Sequence, residues 1–347
     1  MAPSTPERGP RPSRFPALPT FLRRRPFPVL TGVVVALALA AGLLWTPLFG
    51  GEDRPHGQVR ISTGVASGVY ARYGQLLSGQ LERDSPGLEL VPRPSQGSVD
   101  NIERLVAGEA DFAIATADAI AAYIAAHGEG AGRLRACARL YDDYIQLVVP
   151  ADSPVESVAD LRGLRVGVGQ DASGVQPAAR ELLAAGGLDM EEDVEAVREG
   201  IDTMPRMLEA GRLDAFFWSG GLPTSAIERL ADYSDIRLVP LGDLMDPLVA
   251  GGRQNAYFRS AVLPPDAYPQ MGSDSVVDTV AVANLLVTTD AVDDAVVEQM
   301  TRSVINGRDR IGLEVHAAQR VDLRTAIYTQ PLDLADGARD YYRSAKS

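Results

Sequence analysis

Three pairs of serine and glycine stand where an apolar segment gives way to one with helical spacing: Ser67-Gly68, Gly97-Ser98 and Ser173-Gly174. Each pair is expected to open a helix, because helices commonly begin at such small residues. The first turn of a helix carries unpaired N–H groups and the positive end of the helix dipole, which together attract a carboxylate. The three pairs therefore predict a site for a small organic anion or an amino acid, although each is also typical of a plain helix N-cap.

Other candidates lie beside these pairs or after a predicted strand. Tyr70 either contacts the ligand or packs in a core, and Trp218 either lines a cleft or is buried. Asp118 either binds a ligand amine or caps a helix. At Gly68 and Gly174 a Cβ is expected to obstruct the ligand and to strain any positive φ. The predicted ligand-binding residues are Thr63, Ser67, Gly68, Val69, Tyr70, Gly97, Ser98, Asp118, Ser173, Gly174, Val175, Trp218, Gly221 and Pro223.

One segment formally matches a cofactor motif: Gly167-Val168-Gly169-Gln170-Asp171-Ala172 fits the dinucleotide fingerprint Gly-x-Gly-x-x-Ala, but its first glycine lies inside the predicted strand Leu164–Val168 rather than in the turn. The chain contains no Gly-x-Ser-x-Gly, His-Glu-x-x-His, Walker or Cys-x-x-Cys motif. Its only histidines, His56, His127 and His316, stand far apart along the chain. The pair Asp142-Asp143 is interpreted as a solvated acidic face. We therefore predict no catalytic residue, no metal site, no cofactor and no enzymatic activity.

The charge distribution argues against a nucleic-acid partner. Residues 57–347 carry 26 basic and 43 acidic side chains, a net charge of −17. Such a surface repels nucleic acid and anionic lipid headgroups. The hydrophobic fraction of 46% and the charged fraction of 23% are typical of folded soluble domains.

The elements that position the candidate residues alternate between strand and helix, as in α/β domains. A helix is predicted from about Ser98, as its N-cap, to Val106, and another from about Val175 to Ala185. The predicted strands are Val59–Thr63, Leu88–Val91, Phe112–Thr116, Ile145–Val149, Leu164–Val168 and Ala215–Trp218.

Two short motifs occur twice in the same order. Ala66-Ser67-Gly68-Val69 and Ala172-Ser173-Gly174-Val175 each join a strand to a helix, with an offset of 106 residues. Ala107-Gly108-Glu109-Ala110-Asp111 and Ala210-Gly211-Arg212-Leu213-Asp214 each join a helix to a strand, with an offset of 103 residues. Ligands of open α/β sheets bind at the carboxyl ends of the strands. The repeat therefore predicts two α/β lobes that face each other across a ligand-binding cleft.

The N-terminal region has a different composition. Residues 1–26 are rich in Pro and Arg and are interpreted as a disordered basic cytoplasmic tail. Residues 27–49 carry no charge and are about long enough to span a bilayer. Arg residues before this segment and acids after it predict a signal anchor with the N-terminus inside and the rest outside the cell membrane, followed by a linker at 50–57. Ala-x-Ala sequences inside the segment leave cleavage as an alternative.

Several motifs resemble the TAXI family, the solute-binding subunits of one branch of the tripartite ATP-independent periplasmic (TRAP) transporters. The resemblance runs over about residues 57–345 and rests on segments 61–70, 96–101, 107–111, 160–166 and 214–217 and on the returning strand 280–287. It implies a type II periplasmic-binding-protein fold, two α/β lobes joined by a two-crossing hinge. Lobe 1 would comprise 58–148 completed by 280–347, and lobe 2 would comprise 149–279.

The resemblance also implies a function. It predicts an extracytoplasmic protein that captures a glutamate-like amino acid or a dicarboxylate and delivers it to the membrane subunits of a TRAP permease. The first loop has Val69-Tyr70-Ala71-Arg72 where the family commonly has Thr-Tyr-Tyr-Pro, which leaves the ligand open. A membrane-tethered ligand sensor that partners a histidine kinase is the alternative, because fold and anchor suit both.

Overall fold

The computed structural model describes residues 55–252, 257–272 and 274–346. The predicted tail 1–26, the predicted anchor 27–49 and most of the linker lie outside the described residues. Across the described ranges, no helix combines the length and the apolar character needed to cross a membrane.

Strands and helices alternate through most of the described chain, as the sequence predicts. The strands are β1 Gly57–Ser62, β2 Leu88–Arg93, β3 Phe112–Thr116, β4 Leu134–Pro150, β5 Arg165–Gly167, β6 Glu195–Val197, β7 Ala215–Gly220, β8 Ile236–Val239, β9 Phe258–Leu263 and β10 Val277–Thr289. The helices are α1 Val69–Asp84, α2 Ser98–Val106, α3 Ala117–His127, α4 Val175–Ala185, α5 Met204–Glu209, α6 Ser225–Tyr233, α7 Met245–Ala250, α8 Asp294–Gly312 and α9 Asp336–Ser344. Strand β3 and helix α4 have the predicted bounds.

All ten strands belong to one sheet, with the order β2-β1-β3-β10-β4-β7-β5-β6, while β8 pairs with β4 and β9 pairs with β10. Strand β1 is parallel to β2 and β3, and β5 is parallel to β6 and β7. We call β1–β3 with α1–α3 the first half and β5–β7 with α4–α6 the second half. The two parallel groups are linked through the antiparallel strands β4 and β10.

Strand β4 corrects one prediction. Ile145–Val149 was expected to begin a second series of strands, but it is the end of a 17-residue strand that starts at Leu134. The amino-terminal part of β4 pairs with β10, and its carboxyl-terminal part pairs with β7 and β8. Strand β10 contains the predicted returning strand 280–287 and runs over 13 residues. Both long strands therefore reach both halves of the molecule.

Each half buries apolar side chains on both faces of its strands, because successive residues of a strand point to opposite faces. Phe112 packs in one cluster with Tyr73, whereas the adjacent Ala113 packs in another cluster on the opposite face. In the second half, Phe216 and Phe217 divide in the same way between two clusters. Helices thus cover both faces of each parallel group, as in α/β folds.

The repeated helix-to-strand motif forms the same contact in both halves. The carboxylate of Asp111 accepts hydrogen bonds from Arg60 N, Nε and Nη2, at 2.7, 3.1 and 2.9 Å. The carboxylate of Asp214 accepts from Arg165 N, Nε and Nη2, at 2.8, 3.0 and 2.6 Å. In each half the arginine also donates to the carbonyl of the motif glycine. The sequence repeat therefore reflects a repeated structural unit.

One sheet with helices on both faces confirms the α/β part of the predicted fold class. The assignment of 58–148, 149–279 and 280–347 to two lobes stays a prediction. The proposed boundaries near residues 148 and 280 fall within β4 and β10.

Candidate ligand-binding cleft

A cavity whose empty space, including the solvent at its open mouth, is about 650 Å³ lies where the carboxyl ends of the parallel strands of the two halves converge. The segment after β1 contributes Gly68, and the end of β3 contributes Thr116. The loop after β5 contributes Ser173, and β7 contributes Trp218. This is the position at which open α/β sheets bind their ligands.

The three serine–glycine pairs open helices α1, α2 and α4, but their serines do not cap them. The N-cap residues are Gly68, Gly97 and Gly174, and none makes a side-chain capping bond. The prediction of Ser98 as an N-cap is therefore wrong, because Ser98 is the first helical residue. Its Oγ instead accepts from Thr116 N at 3.2 Å, which ties α2 to the end of β3.

Two of the turns touch each other across the cleft. A Cβ built on Gly174 would lie 2.8 Å from Ser98 Oγ, and one on Gly97 would lie 3.1 Å from Ser173 Cα. The backbone N–H of Asp100 also donates to the carbonyl of Ala172 at 3.1 Å. Glycine is needed here because any side chain would separate the two halves.

The expected positive φ at two glycines is not found. Gly68 has φ −84° and Gly174 has φ −75°, and any residue can adopt either value. Gly97 instead has φ +134°. Steric contact across the cleft, rather than backbone strain, explains glycine at position 174.

Tyr70 of α1 lies next to the long strands β4 and β10. Its hydroxyl donates a short hydrogen bond to Asn284 Oδ1 of β10. Ser98 Oγ lies 3.4 Å away, and Asp143 Oδ2 of β4 lies 3.5 Å away. Burial raises the pKa of the Tyr70 hydroxyl well above its ordinary value, so it stays protonated and acts as a donor.

Asp143 corrects the interpretation of Asp142-Asp143 as a solvated face. Both side chains are buried, and Asp142 forms ion pairs with Arg139 and Arg259. Asp143 lines the cavity and is 3% exposed. Burial raises its pKa to about 7, and the nearby polar side chain of Asn284 opposes part of this rise.

Several polar atoms around the cavity find no hydrogen-bond partner among the described residues. Such orphans are rare in folded proteins, and here several lie beside one another, since Thr116 lowers the pKa of Asp118, and Ser219 and Asn284 lower the pKa of Asp143. They are Thr116 Oγ1, both carboxylate oxygens of Asp118, Asp143 Oδ1, Ser173 Oγ, Ser219 Oγ and Asn284 Nδ2.

Nine of the fourteen predicted site residues line the cavity, namely Gly68, Val69, Tyr70, Gly97, Ser98, Ser173, Gly174, Val175 and Trp218. Their role in ligand binding stays a prediction. Trp218 satisfies both alternatives, because it faces the cavity and also packs against the apolar clusters of the second half. Its Nε1 donates to Thr224 Oγ1 at 3.1 Å, which fixes the ring.

Five predicted residues are not among the cavity-lining residues. Thr63 donates to Arg93 O at 3.2 Å, and Ser67 donates to Asp202 Oδ1 at 2.8 Å. Gly221 accepts from Thr224, and Pro223 follows it in the same turn. Asp118 lies in the first turn of α3, next to the cavity-lining Thr116.

The cavity also contains residues that sequence reasoning missed. Gly64 and Val65 precede a recognised turn, and the glutamines Gln96 and Gln170 lie beside two others. Gln170 Nε2 donates to Gln96 Oε1 at 2.7 Å and so connects the two halves. Proximity to the turns was a usable signal for these residues. The other missed residues are Thr116, Asp143, Gly169, Gly200, Ile201, Ser219 and Gly220.

In the part of the chain that the structure describes, no group of three or more His, Cys, Asp or Glu side chains is arranged to hold a metal ion. Of the described residues that line the cavity, none is Lys, Arg or His. An anionic group bound there would therefore contact only N–H groups, hydroxyls and amides.

Comparisons with known proteins identify a family and support the fold. A family model described as the NMT1-like family matches residues 61–345. A protein of Bordetella bronchiseptica RB50 is 19% identical and covers 83% of this chain and 80% of its own, with a TM-score of 0.50, which supports the fold. An ancestral arginine-binding protein bound to arginine is 13% identical over 75% of this chain and 98% of its own, with a TM-score of 0.48. A TRAP periplasmic solute-binding protein from Marinobacter aquaeolei VT8 is 14% identical over 83% and 92%, with a TM-score of 0.43.

Proposed function

The chain belongs to the NMT1-like family, which is of the periplasmic solute-binding type, and we propose that it captures a small organic acid or amino acid in the cleft between its two halves. It then delivers the ligand to a membrane permease. The protein acts outside the cytoplasm and performs no chemistry on the ligand.

The observation that carries this proposal is the contact between opposite turns over the cavity. Gly97 and Ser98 of the first half meet Ser173 and Gly174 of the second half. A ligand held between the turns contacts both halves at once. Such a ligand stabilises the arrangement in which they touch, because it binds that arrangement better than a separated one.

We further propose the finer assignment implied by the TAXI resemblance. The permease is of the TRAP type, and residues 27–49 anchor the chain in the cell membrane. The lobes are 58–148 with 280–347, and 149–279. The motifs at 61–70, 107–111 and 214–217 support this assignment.

A thermal-shift screen of amino acids, hydroxy acids and dicarboxylates on the full-length chain tests the proposal. At least one compound is expected to raise the Tm, and to raise it further as its concentration increases above its Kd. Small-angle scattering with the same compound should show a smaller radius of gyration. A screen in which no compound shifts the Tm or compacts the protein would contradict solute capture.

A further inference from the structure

Asp143 is a buried carboxylate without a basic partner. Its Oδ1 is buried and has no hydrogen bond within 3.5 Å to a described residue, and its Oδ2 lies 3.5 Å from the Tyr70 hydroxyl. The uncharged side chains of Asn284, Tyr70 and Ser219 lower its pKa in part, but none of them carries a positive charge. Its neighbour Asp142, on the opposite face of β4, has two arginines. A buried charge without an opposite charge is costly. The ligand is the natural source of the compensating charge.

A second buried carboxylate adds to the uncompensated negative charge near Asp143. Asp118 of α3 is 5% exposed, and burial raises its pKa to about 6 although the Thr116 hydroxyl and the backbone N–H of Ala119 lower it in part. It acts on Asp143 as a like charge and is itself influenced by Glu181 of α4. The groups that face Asp143 are thus Tyr70 of α1, Asn284 of β10, Ser219 of β7 and the Asp118 carboxylate. These neighbours disfavour a second anion and favour a cation.

Much of the remaining cavity lining is apolar. Val65 and Val69 of the first half and Val175 and Ile201 of the second half form it, together with the ring of Trp218. Such side chains gain free energy by removing apolar surface from water. They contact the hydrocarbon part of a ligand more favourably than a second carboxylate on the ligand.

We propose that the ligand carries a protonated amine that pairs with Asp143, and an apolar body that packs between the two halves. This inference rests on the proposed function of the cleft, and it names the chemical class of the solute. A monoamino acid with an apolar side chain and a simple alkylamine share this chemistry. A dicarboxylate lacks it.

The pairing of the amine with Asp143 makes ligand affinity depend on pH in a defined direction. Burial raises the pKa of Asp143 to about 7, and an ammonium beside the carboxylate lowers that pKa again. Amine binding therefore releases a proton near neutral pH, and affinity rises with pH from about 5 to 8. A carboxylate ligand would favour protonated Asp143, so that affinity would rise as the pH falls.

Calorimetric titration of the full-length chain tests the proposal with matched compounds. L-leucine and L-phenylalanine supply both charges, isoamylamine and phenethylamine supply only the amine, and leucic and phenyllactic acids supply only the carboxylate. Succinate and L-malate represent dicarboxylates. Each compound is titrated at pH 5 and pH 8 into the wild type, Asp143→Asn and Asp118→Asn.

At least one amino acid or amine is expected to bind more tightly at pH 8. Asp143→Asn should weaken that binding about 10- to 150-fold, the value of one charge-assisted hydrogen bond. Asp118→Asn should weaken it less, because Asp118 is not a cavity-lining residue. If the amines bind as well as the amino acids, the ligand needs only an ammonium group. If the amino acids bind and the amines do not, the ligand needs both an ammonium group and a carboxylate.

Two results would overturn the inference. If a hydroxy acid or dicarboxylate binds at least as tightly as every amine, and binds Asp143→Asn equally well, the proposed ammonium group on the ligand is wrong. The proposal of solute capture is then unaffected. If no compound binds the wild type, the ammonium inference fails together with the proposed function. The Tm of Asp143→Asn shows that the variant is folded in either case.

Discussion

Asp142 and Asp143 have opposite environments because successive residues of a strand point to opposite faces of the sheet. Asp142 is neutralised by Arg139 and Arg259, whereas Asp143 faces the cavity among uncharged polar groups and the more distant Asp118. Two adjacent acidic residues are usually solvated, so the sequence predicted that both side chains lie on the surface. Only the register of β4 against β10, which places Val282 opposite Asp143, reveals the difference.

The protonation of Asp143 makes stability depend on pH. Its pKa is about 7 in the folded protein, against about 4 in an unfolded chain. The folded state therefore binds this proton more tightly. The stability it contributes is fully present below about pH 4 and is lost as the pH rises through about 7.

Asp143→Asn is accordingly expected to stabilise the protein without added ligand at pH 8 but not at pH 4. The gain is on the order of 1–4 kcal/mol, because the amide does not ionise. Thermal unfolding of both proteins across this pH range measures it. Asp118→Asn is a matched control, since burial raises the pKa of Asp118 only to about 6. The gain in stability from this substitution is therefore smaller, and it stops increasing above about pH 6. A lower Tm for Asp143→Asn at pH 8 would show that the charge is compensated in the native protein.

At the scale of elements, the sequence predicted the strand–turn–helix units well. Phe112–Thr116 and Val175–Ala185 were found with the right bounds because their apolar spacing is regular and glycine ends the helix. The long strands β4 and β10 were only partly recognised, since their middle carries polar residues such as Asp142 and Asn284. Those residues are stabilised by tertiary neighbours, which periodicity does not show.

The repeated motif located the turns at Ser67-Gly68 and Ser173-Gly174, but the contact of the second turn with Gly97-Ser98, which lies outside the repeat, was not predicted. Contact between Gly97 and Ser173 depends on how the two halves approach, and such long-range geometry leaves no local signal. The same limit applies to Gln96 and Gln170, which connect the halves through side chains.

Gly174→Ala is expected to weaken ligand binding by opposing the approach of the two halves. The new Cβ would lie 2.8 Å from Ser98 Oγ and 3.1 Å from Ser98 Cβ, while φ −75° imposes no backbone strain. Overpacking of this kind costs about 1–3 kcal/mol, which corresponds to about a 5- to 150-fold increase in Kd. Calorimetry measures the affinity, and small-angle scattering measures the ligand-induced compaction.

Gly79→Ala is the control for this substitution. Gly79 lies within α1, and its Cβ would meet no atom within 4 Å, so affinity should not change. Stability should increase slightly, because alanine favours the helix more than glycine does. Equal affinities of wild type and Gly174→Ala would mean that the turns do not have to touch when ligand is bound.

At the scale of the whole molecule, the acidic binding domain and the basic N-terminal region have different tasks. Residues 57–347 carry a net charge of −17, so attraction to anionic lipid does not hold this domain at a membrane. Retention there requires either a partner or the apolar segment 27–49. The segment has no charged residue, and Arg23, Arg24 and Arg25 precede it.

The full-length chain is expected to remain in the membrane fraction after washing with high salt and with alkaline carbonate. An apolar segment of about 20 residues inserts through the hydrophobic effect, which salt does not screen. Leu39→Arg places a charge in the middle of the segment, at a cost of about 2.5–3.5 kcal/mol for insertion, and should move part of the protein to the soluble fraction. Ser13→Arg, in the basic tail, adds the same charge outside the segment and should not. N-terminal sequencing distinguishes the alternative: a soluble wild-type protein that begins near Ala41 would show that the segment is a cleaved signal, and that the binding domain reaches its permease by diffusion.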